Sequence, residues 1–190
     1  MNDNNPITVQ VLGVCSALAV TVALKYALVM AIAVVFVNAF ANLTISVLRN
    51  GIPTRIRMIV QLTVIAALVT IVEMVLKATV FSVYKELSVY IGLIITNCII
   101  MGRLEAFAMA NKPWQSFLDG LGNGAGYGII LIAVAFFREL FGKGQLMGYQ
   151  IMPAGYEANI IMVMPASAMF LIGIIIWIQR SRNKKLVDIS

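Results

Sequence analysis

Histidine is absent from this sequence, cysteine occurs twice, and aspartate and glutamate together number eight in 190 residues. Each scarcity removes some chemistry. Without imidazole there is no bis-histidine haem ligation, and a zinc-hydrolase site is argued against. Charged residues make up 12% of the chain and hydrophobic ones 61%, whereas soluble globular domains are about 45 to 50% apolar. At a mean hydropathy of +0.95, a water-soluble fold would lack the polar surface to cover its apolar mass. The expected fold class is therefore an all-α integral membrane protein. A spanning helix takes about 20 residues, so 190 residues hold six short transmembrane helices with tight loops and no soluble domain beside them.

The net charge of +6 comes from 14 lysines and arginines, which lie between apolar runs or at the C-terminus. That placement orients membrane spans rather than binding nucleic acid. Residues Met1 to Gln10 carry no basic cluster and no small-residue cleavage site, so the first span is expected to stay in the mature protein. Apolar stretches run roughly Ile7 to Leu24, Tyr26 to Leu48, Ile56 to Phe81, Leu87 to Met101, Gly124 to Phe141 and Ile160 to Ile178. Between them fall Asn50-Gly51-Ile52-Pro53, Lys112-Pro113, and Gly142-Lys143-Gly144 with Pro153 beyond, while Pro165 falls inside a span. An even number of spans puts both termini on one face. Arg49, Arg55, Arg57, Arg103, Lys112, Arg180, Arg182, Lys184 and Lys185 go with the termini; Lys25, Lys77, Lys85, Arg138 and Lys143 lie opposite. Nine against five predicts both termini in the cytoplasm, with the basic tail 179–190 held against anionic lipid.

The first span is barely long enough to cross and holds Gly13, Cys15, Ser16 and Thr21; the fourth is as short and holds Gly92, Thr96, Asn97, Cys98 and Gly102. Short, polar-interrupted spans in corresponding positions of two halves point to discontinuous helices meeting near the midplane. The expectation is a single transmembrane domain of two inverted three-helix repeats, about 7–81 and 87–178, with short or broken helices one and four. Each half also ends its second span on an arginine, Arg49 and Arg138.

A lone cysteine in a membrane helix is ordinarily a small buried hydrophobe, and that reading stands beside a sharper one. Cys15 and Cys98 are matched in position and each sits amid small and polar neighbours, which favours metal ligation. Thiolates without histidine select a soft metal, and an iron–sulfur cluster needs four such ligands. This chain supplies two, so a cluster requires two cysteines from another subunit. A related chain of opposite topology would place its own pair facing this one.

Other features read more plainly. Gly120 to Gly128 superficially fits a dinucleotide fingerprint, with Glu139 downstream, but that fingerprint requires a preceding strand; here a polar loop precedes and a membrane span follows. The glycines fit close helix or cofactor approach instead. Glu73 and Lys77 share a helix face and read as a structural pair, Asn38 and Asn42 as interhelical hydrogen-bond glue. Arg103 with Glu105, and Arg138 with Glu139, read as interfacial anchors.

The stretches Asn4-Asn5-Pro6, Leu12-Gly13-Val14-Cys15-Ser16-Ala17-Leu18-Ala19-Val20, Leu93 to Arg103 with its Thr96-Asn97-Cys98, Glu105-Ala106-Phe107-Ala108, Asp119 to Gly128 and Phe137-Arg138-Glu139-Leu140 resemble the NqrD family, the D subunits of the bacterial Na+-translocating NADH:quinone oxidoreductase. The likeness covers nearly the whole chain. It implies a six-helix subunit with inverted halves in the bacterial inner membrane, paired with the homologous E subunit (NqrE) in a six-subunit complex. It implies that Cys15 and Cys98 are two of the four ligands of an intramembrane [2Fe-2S] cluster, the others coming from NqrE, with Gly13, Val14, Thr96 and Asn97 surrounding it. Electrons would pass from the cytoplasmic NADH-oxidising subunit towards the covalent flavin on the opposite face, driving Na+ pumping and ubiquinone reduction. NADH and the flavins belong to other subunits, and the Ser-Gly-Ala-Thr attachment motif is absent here, so this chain would carry no complete active site of its own. The E subunit of the Rnf electron-transport complex is a near relative; the short tails and the Gly-Asn-Gly segment favour the quinone reductase. A reading from another class is an inverted-repeat secondary ion transporter, for which Glu73 or Asn38 would be the ion ligands.

Overall fold

The structure, a computed structural model, describes residues 12–53, 55–79, 81–143, 145–146, 149–150 and 164–182. Within them the helices are α1 (Val14–Val20), α2 (Leu24–Leu48), α3 (Arg57–Thr79), α4 (Phe81–Ile95), α5 (Cys98–Arg103), α6 (Pro113–Lys143) and α7 (Pro165–Arg182). A 3-10 turn, Arg49–Gly51, follows α2, and a π-helical turn, Leu104–Ala108, continues α5. Leu24–Gly51, Arg57–Thr79, Tyr90–Ala108 and Pro113–Gly142 are long and apolar enough to cross a membrane, and Ala166–Gln179 is a shorter apolar helix.

The second and third spans fall where the apolar runs place them. The fourth is broken, since α4 stops at Ile95, Thr96 and Asn97 leave the helix, and α5 restarts at Cys98. Of the first span the described part is the seven-residue α1, ended by a turn at Thr21–Ala23; its expected beginning, Ile7 to Val11, lies outside the described residues, as do Pro153, the start of the sixth span and the tail beyond Arg182.

Two expectations are corrected. Gly120 to Asn123 are not a loop, because α6 begins at Pro113 and runs through every glycine of the stretch; proline suits a first helical position, where no amide partner is needed. Pro165 likewise opens α7 rather than interrupting it. Among the described residues the helices are joined by a short antiparallel ribbon after α6, in which Gln145–Leu146 pairs with Tyr149–Gln150.

The molecule is built around α2 and α6, which pack antiparallel. A Cβ added to Gly120, Gly124 or Gly128 would lie 2.9 Å from Ala39 Cα, 3.0 Å from Val35 Cα and 3.2 Å from Ala31 Cβ respectively. Between transmembrane helices the hydrophobic drive is weak, so small residues that let backbones touch carry the packing. Asn38 Nδ2 crosses this seam to the carbonyl of Gly120 at 2.9 Å, while Asn42 stays on its own helix, donating to Asn38 O at 2.8 Å. Around the seam the buried core gathers Met30, Val34, Ile45, Ile65, Ile94, Ile99, Leu104, Tyr127 and Leu131. α3 buries only the stripe Gln61, Ile65 and Val69 and turns Ile59, Ile71, Met74 and Val75 outward, which suits a helix whose other face meets lipid.

Candidate metal centre

The bend that precedes α1 and the break in the fourth span bring together two segments far apart in sequence. Gly13, just before α1, has a backbone φ of +80°, a conformation glycine adopts without penalty. Its amide donates to Cys98 Sγ at 2.9 Å. A Cβ at this position would overlap Ile99 Cδ1 and stand 3.3 Å from the Tyr127 ring, so the glycine is required both for its backbone and for the space it leaves. On the other strand of the junction Asn97 is buried and caps α5, accepting from the Ile99 amide at 3.2 Å. Its Nδ2 reaches Ser16 Oγ at 3.4 Å.

Ser16 is the hub. Its hydroxyl donates to Gly13 O at 3.0 Å, so at the 2.7 Å contact with Tyr127 the phenol is the donor. Tyr127 itself is wholly buried. The result is a network from α6 through α1 to α5 that fixes the two cysteine-bearing segments against each other. The bond from the Gly13 amide to Cys98 Sγ brings Cys98 against the segment that carries Cys15 two residues further on. Cys15 is exposed on the surface of this chain and Cys98 is half-exposed.

Of the residues expected around the pair, Gly13 and Asn97 make the contacts above. Val14 opens α1 and is half-buried, and Thr96 occupies the turn between α4 and α5 with its side chain exposed. Among the described residues no group of three or more histidines, cysteines, aspartates and glutamates comes together, so two thiols are what this chain brings. The donor set fits half of a four-thiolate site: two thiols on segments in contact, one exposed and one half-exposed, the latter already receiving an N–H bond of the kind that stabilises a ligating sulfur.

The charged residues near the span ends do more than anchor. Arg138 and Glu139 are 2% and 6% exposed. Arg138 donates to Thr21 Oγ1 at 2.6 Å, to Leu18 O at 3.4 Å and to Met164 O at 3.2 Å, and Glu139 Oε2 accepts from the Leu24 amide at 2.6 Å. They are buried because the turn between α1 and α2 leaves backbone groups with no helical partner inside an apolar environment. Arg103 grips Asp119 with two bonds, at 2.9 and 2.5 Å, and Glu105 pairs with Arg57 at 2.5 Å. Glu73 accepts from Tyr84 at 2.9 Å, and Lys77 sits over the Tyr84 ring rather than bridging to Glu73 directly. That hydrogen bond to the carboxylate holds the Tyr84 phenol above the ordinary tyrosine range.

Sequence reasoning missed Tyr127, Asp119 and the inward placement of Arg138 and Glu139. Tyr127 lies within the glycine-rich run, and a tyrosine eight residues past Asp119 on a membrane helix carries no sign of its partner Ser16, 111 positions away.

The whole of residues 1–176 matches the family model described as "Rnf-Nqr subunit, membrane protein". The chain is 55% identical over 191 residues to the D subunit of the Na(+)-translocating NADH-quinone reductase of Shewanella sp. (strain W3-18-1), covering 98% of this chain and 91% of that protein. It is 55% identical to the corresponding D subunit of Psychromonas ingrahamii, over 97% of this chain and 90% of the relative. With the D subunit of Photobacterium profundum the identity is 57% over 180 residues, 92% of this chain and 86% of that one. A membrane protein with a broken fourth span and likeness along nearly its full length, this chain belongs to the Rnf-Nqr family of membrane subunits.

Proposed function

We propose that this chain is the NqrD subunit of a Na+-translocating NADH:quinone oxidoreductase, and that Cys15 and Cys98 are two of four ligands to an intramembrane [2Fe-2S] cluster. The observation that carries the reading is the bond from the Gly13 amide to Cys98 Sγ, which joins the two cysteine-bearing segments from opposite halves of the chain, with Cys15 exposed and Cys98 half-exposed. Half a ligand set at a surface calls for a partner that supplies the rest, and the homologous NqrE of the same six-subunit complex is the reading's partner. When bound, the cluster supplies one-electron transfer between the NADH-oxidising side and the flavin side. What this chain contributes is the placement of the two thiols, the Gly13 amide that donates to Cys98 Sγ, and the buried side chains of Ile99, Ile100 and Tyr127 beneath the junction.

Inverted repeats are part of this reading. α1 and the α4–α5 pair are the short or broken members, α2 and α6 the long central ones, and an arginine near the end of each central helix reaches the other half. Arg138 binds the end of α1, and Arg49 binds the carbonyl of Asn111 at 2.6 Å, just past α5 and its π-helical turn. The bias of basic residues supports both termini in the cytoplasm of the bacterial inner membrane.

The test is iron content and the reduced-state electron paramagnetic resonance signal of the purified complex, comparing wild type with Cys15→Ala and Cys98→Ala. Each substitution is expected to remove the cluster's iron and signal and to stop quinone reduction. Unchanged iron, signal and turnover in both variants would return the cysteines to packing residues.

A further inference from the structure

Among the described residues, Arg138 and Glu139 are the two charged side chains that lie buried. We propose that they are positioning residues for Cys15: a clamp on the α1–α2 break that fixes where α1 stands, and therefore where its thiol stands relative to Cys98. The proposal rests on the shared-cluster reading above.

The seven residues of α1 are too few to be stable as an isolated helix, and the last carbonyls of any helix have no partner within it. In water, solvent would satisfy them; within an apolar span the protein must. Thr21 Oγ1 donates back to Ala17 O at 2.6 Å, and Arg138 Nη1 donates both to that hydroxyl and to Leu18 O. Two of the orphaned carbonyls of α1 are thus gathered on one guanidinium, the first by way of the threonine. The same side chain extends Nη2 to Met164 O at 3.2 Å, the residue just before α7. Immediately across the turn Glu139 does the complementary task, its carboxylate taking the first amide of α2 at 2.6 Å.

Adjacent residues of opposite charge on α6 therefore bind opposite backbone polarity on the two sides of Thr21–Ala23. Sliding or rotating α1 would tear a buried cation from its acceptors, which is expensive in a low-dielectric interior. Cys15 is in the first turn of α1, so a helix held at its far end holds the thiol. The other half has only a lighter brace. Arg49, aided by Ser46 Oγ at 2.7 Å, binds the carbonyl of Asn111 at a half-exposed position, with π-helical and turn residues between it and Cys98. The two arginines should therefore differ in their effect on the centre.

The experiment uses the purified complex carrying Arg138→Gln, Arg138→Lys, Thr21→Val or Arg49→Gln, and reads iron content, the midpoint potential and line shape of the reduced paramagnetic signal, and turnover. Arg138→Gln is expected to retain iron but alter the line shape, move the potential and slow quinone reduction by roughly tenfold, as loss of a supporting contact behind a metal ligand does. Arg138→Lys should restore part of each change, Thr21→Val should shift potential and line shape in the same direction by less, and Arg49→Gln should move them least. Should Arg138→Gln fail to assemble, Thr21→Val decides, because it keeps the charge and removes one acceptor. Wild-type potential and line shape in Thr21→Val and in any assembled Arg138→Gln complex would overturn the clamp. Iron unchanged in Cys15→Ala is a different result, and brings down the cluster reading instead.

Discussion

At Gly13 two demands coincide, a left-handed backbone and the absence of a Cβ, and both arise because this residue must aim its amide at Cys98 while Ile99 and Tyr127 close in on it. Gly13→Ala is expected to cost about 1 to 2 kcal/mol from the backbone alone, with further cost from collision with Ile99. The effect should appear as a lowered unfolding temperature of the detergent-solubilised complex together with lost iron. Gly92→Ala, inside α4 where an added methyl meets nothing within 4 Å, should keep its iron and leave the unfolding temperature unchanged or slightly raised. A Gly13→Ala complex with full stability and iron would mean that the Gly13–Cys98 contact has no role. Arg103 illustrates the same scale of constraint differently, since its fork holds Asp119 at two points and Asn123 adds a third bond to that carboxylate at 2.9 Å. These charges form a small satisfied network at the junction of α5 and α6.

At the level of elements, the contact face of α6 is set by glycines four residues apart. Gly120→Ala would push a methyl to within 2.9 Å of the α2 backbone, and overpacking of this kind costs roughly 1 to 3 kcal/mol. Gly122 lies on the same helix but has nothing within 4 Å, so Gly122→Ala should be neutral or stabilising by up to about 1 kcal/mol through helix propensity. Thermal scans of the two variants side by side check the pair, and equal destabilisation would refute the packing argument. This is also where the sequence is most and least legible. The break in the fourth span can be read because Thr96 and Asn97 are residues that leave a helix for local physical reasons, and the bend at Gly13 because glycine takes a positive φ freely. The start of α6 cannot, because Gly120-Leu121-Gly122-Asn123-Gly124 has the composition of a loop, and only the matching surface of α2 makes a helix there worthwhile. Arg138 and Glu139 escape sequence reasoning for the same cause: their burial depends on unpaired backbone around Thr21 and Leu24, more than 100 positions away. A pair of thiols at Cys15 and Cys98 is readable from chemistry, whereas Ser16 and Tyr127 as its scaffold require coordinates.

For the whole molecule, the distribution of basic residues predicts that a reporter fused after Ser190 is active in the cytoplasm and silent in the periplasm, checked by a phosphatase and fluorescent-protein pair; a periplasmic readout would reverse the orientation of every span. The α2–α6 seam also joins the first half of the chain to the second. Its two contact rows, Ala31, Val35 and Ala39 against Gly128, Gly124 and Gly120, share one spacing, like two scales ruled in the same unit. A displacement by four residues, about 6 Å along the axis, would set small residue on small residue again, so shape by itself admits more than one alignment of the halves. The bond from Asn38 to the Gly120 carbonyl breaks that degeneracy: it works as the index mark on the scale, and the mutual height of Cys15 and Cys98 is read off from it.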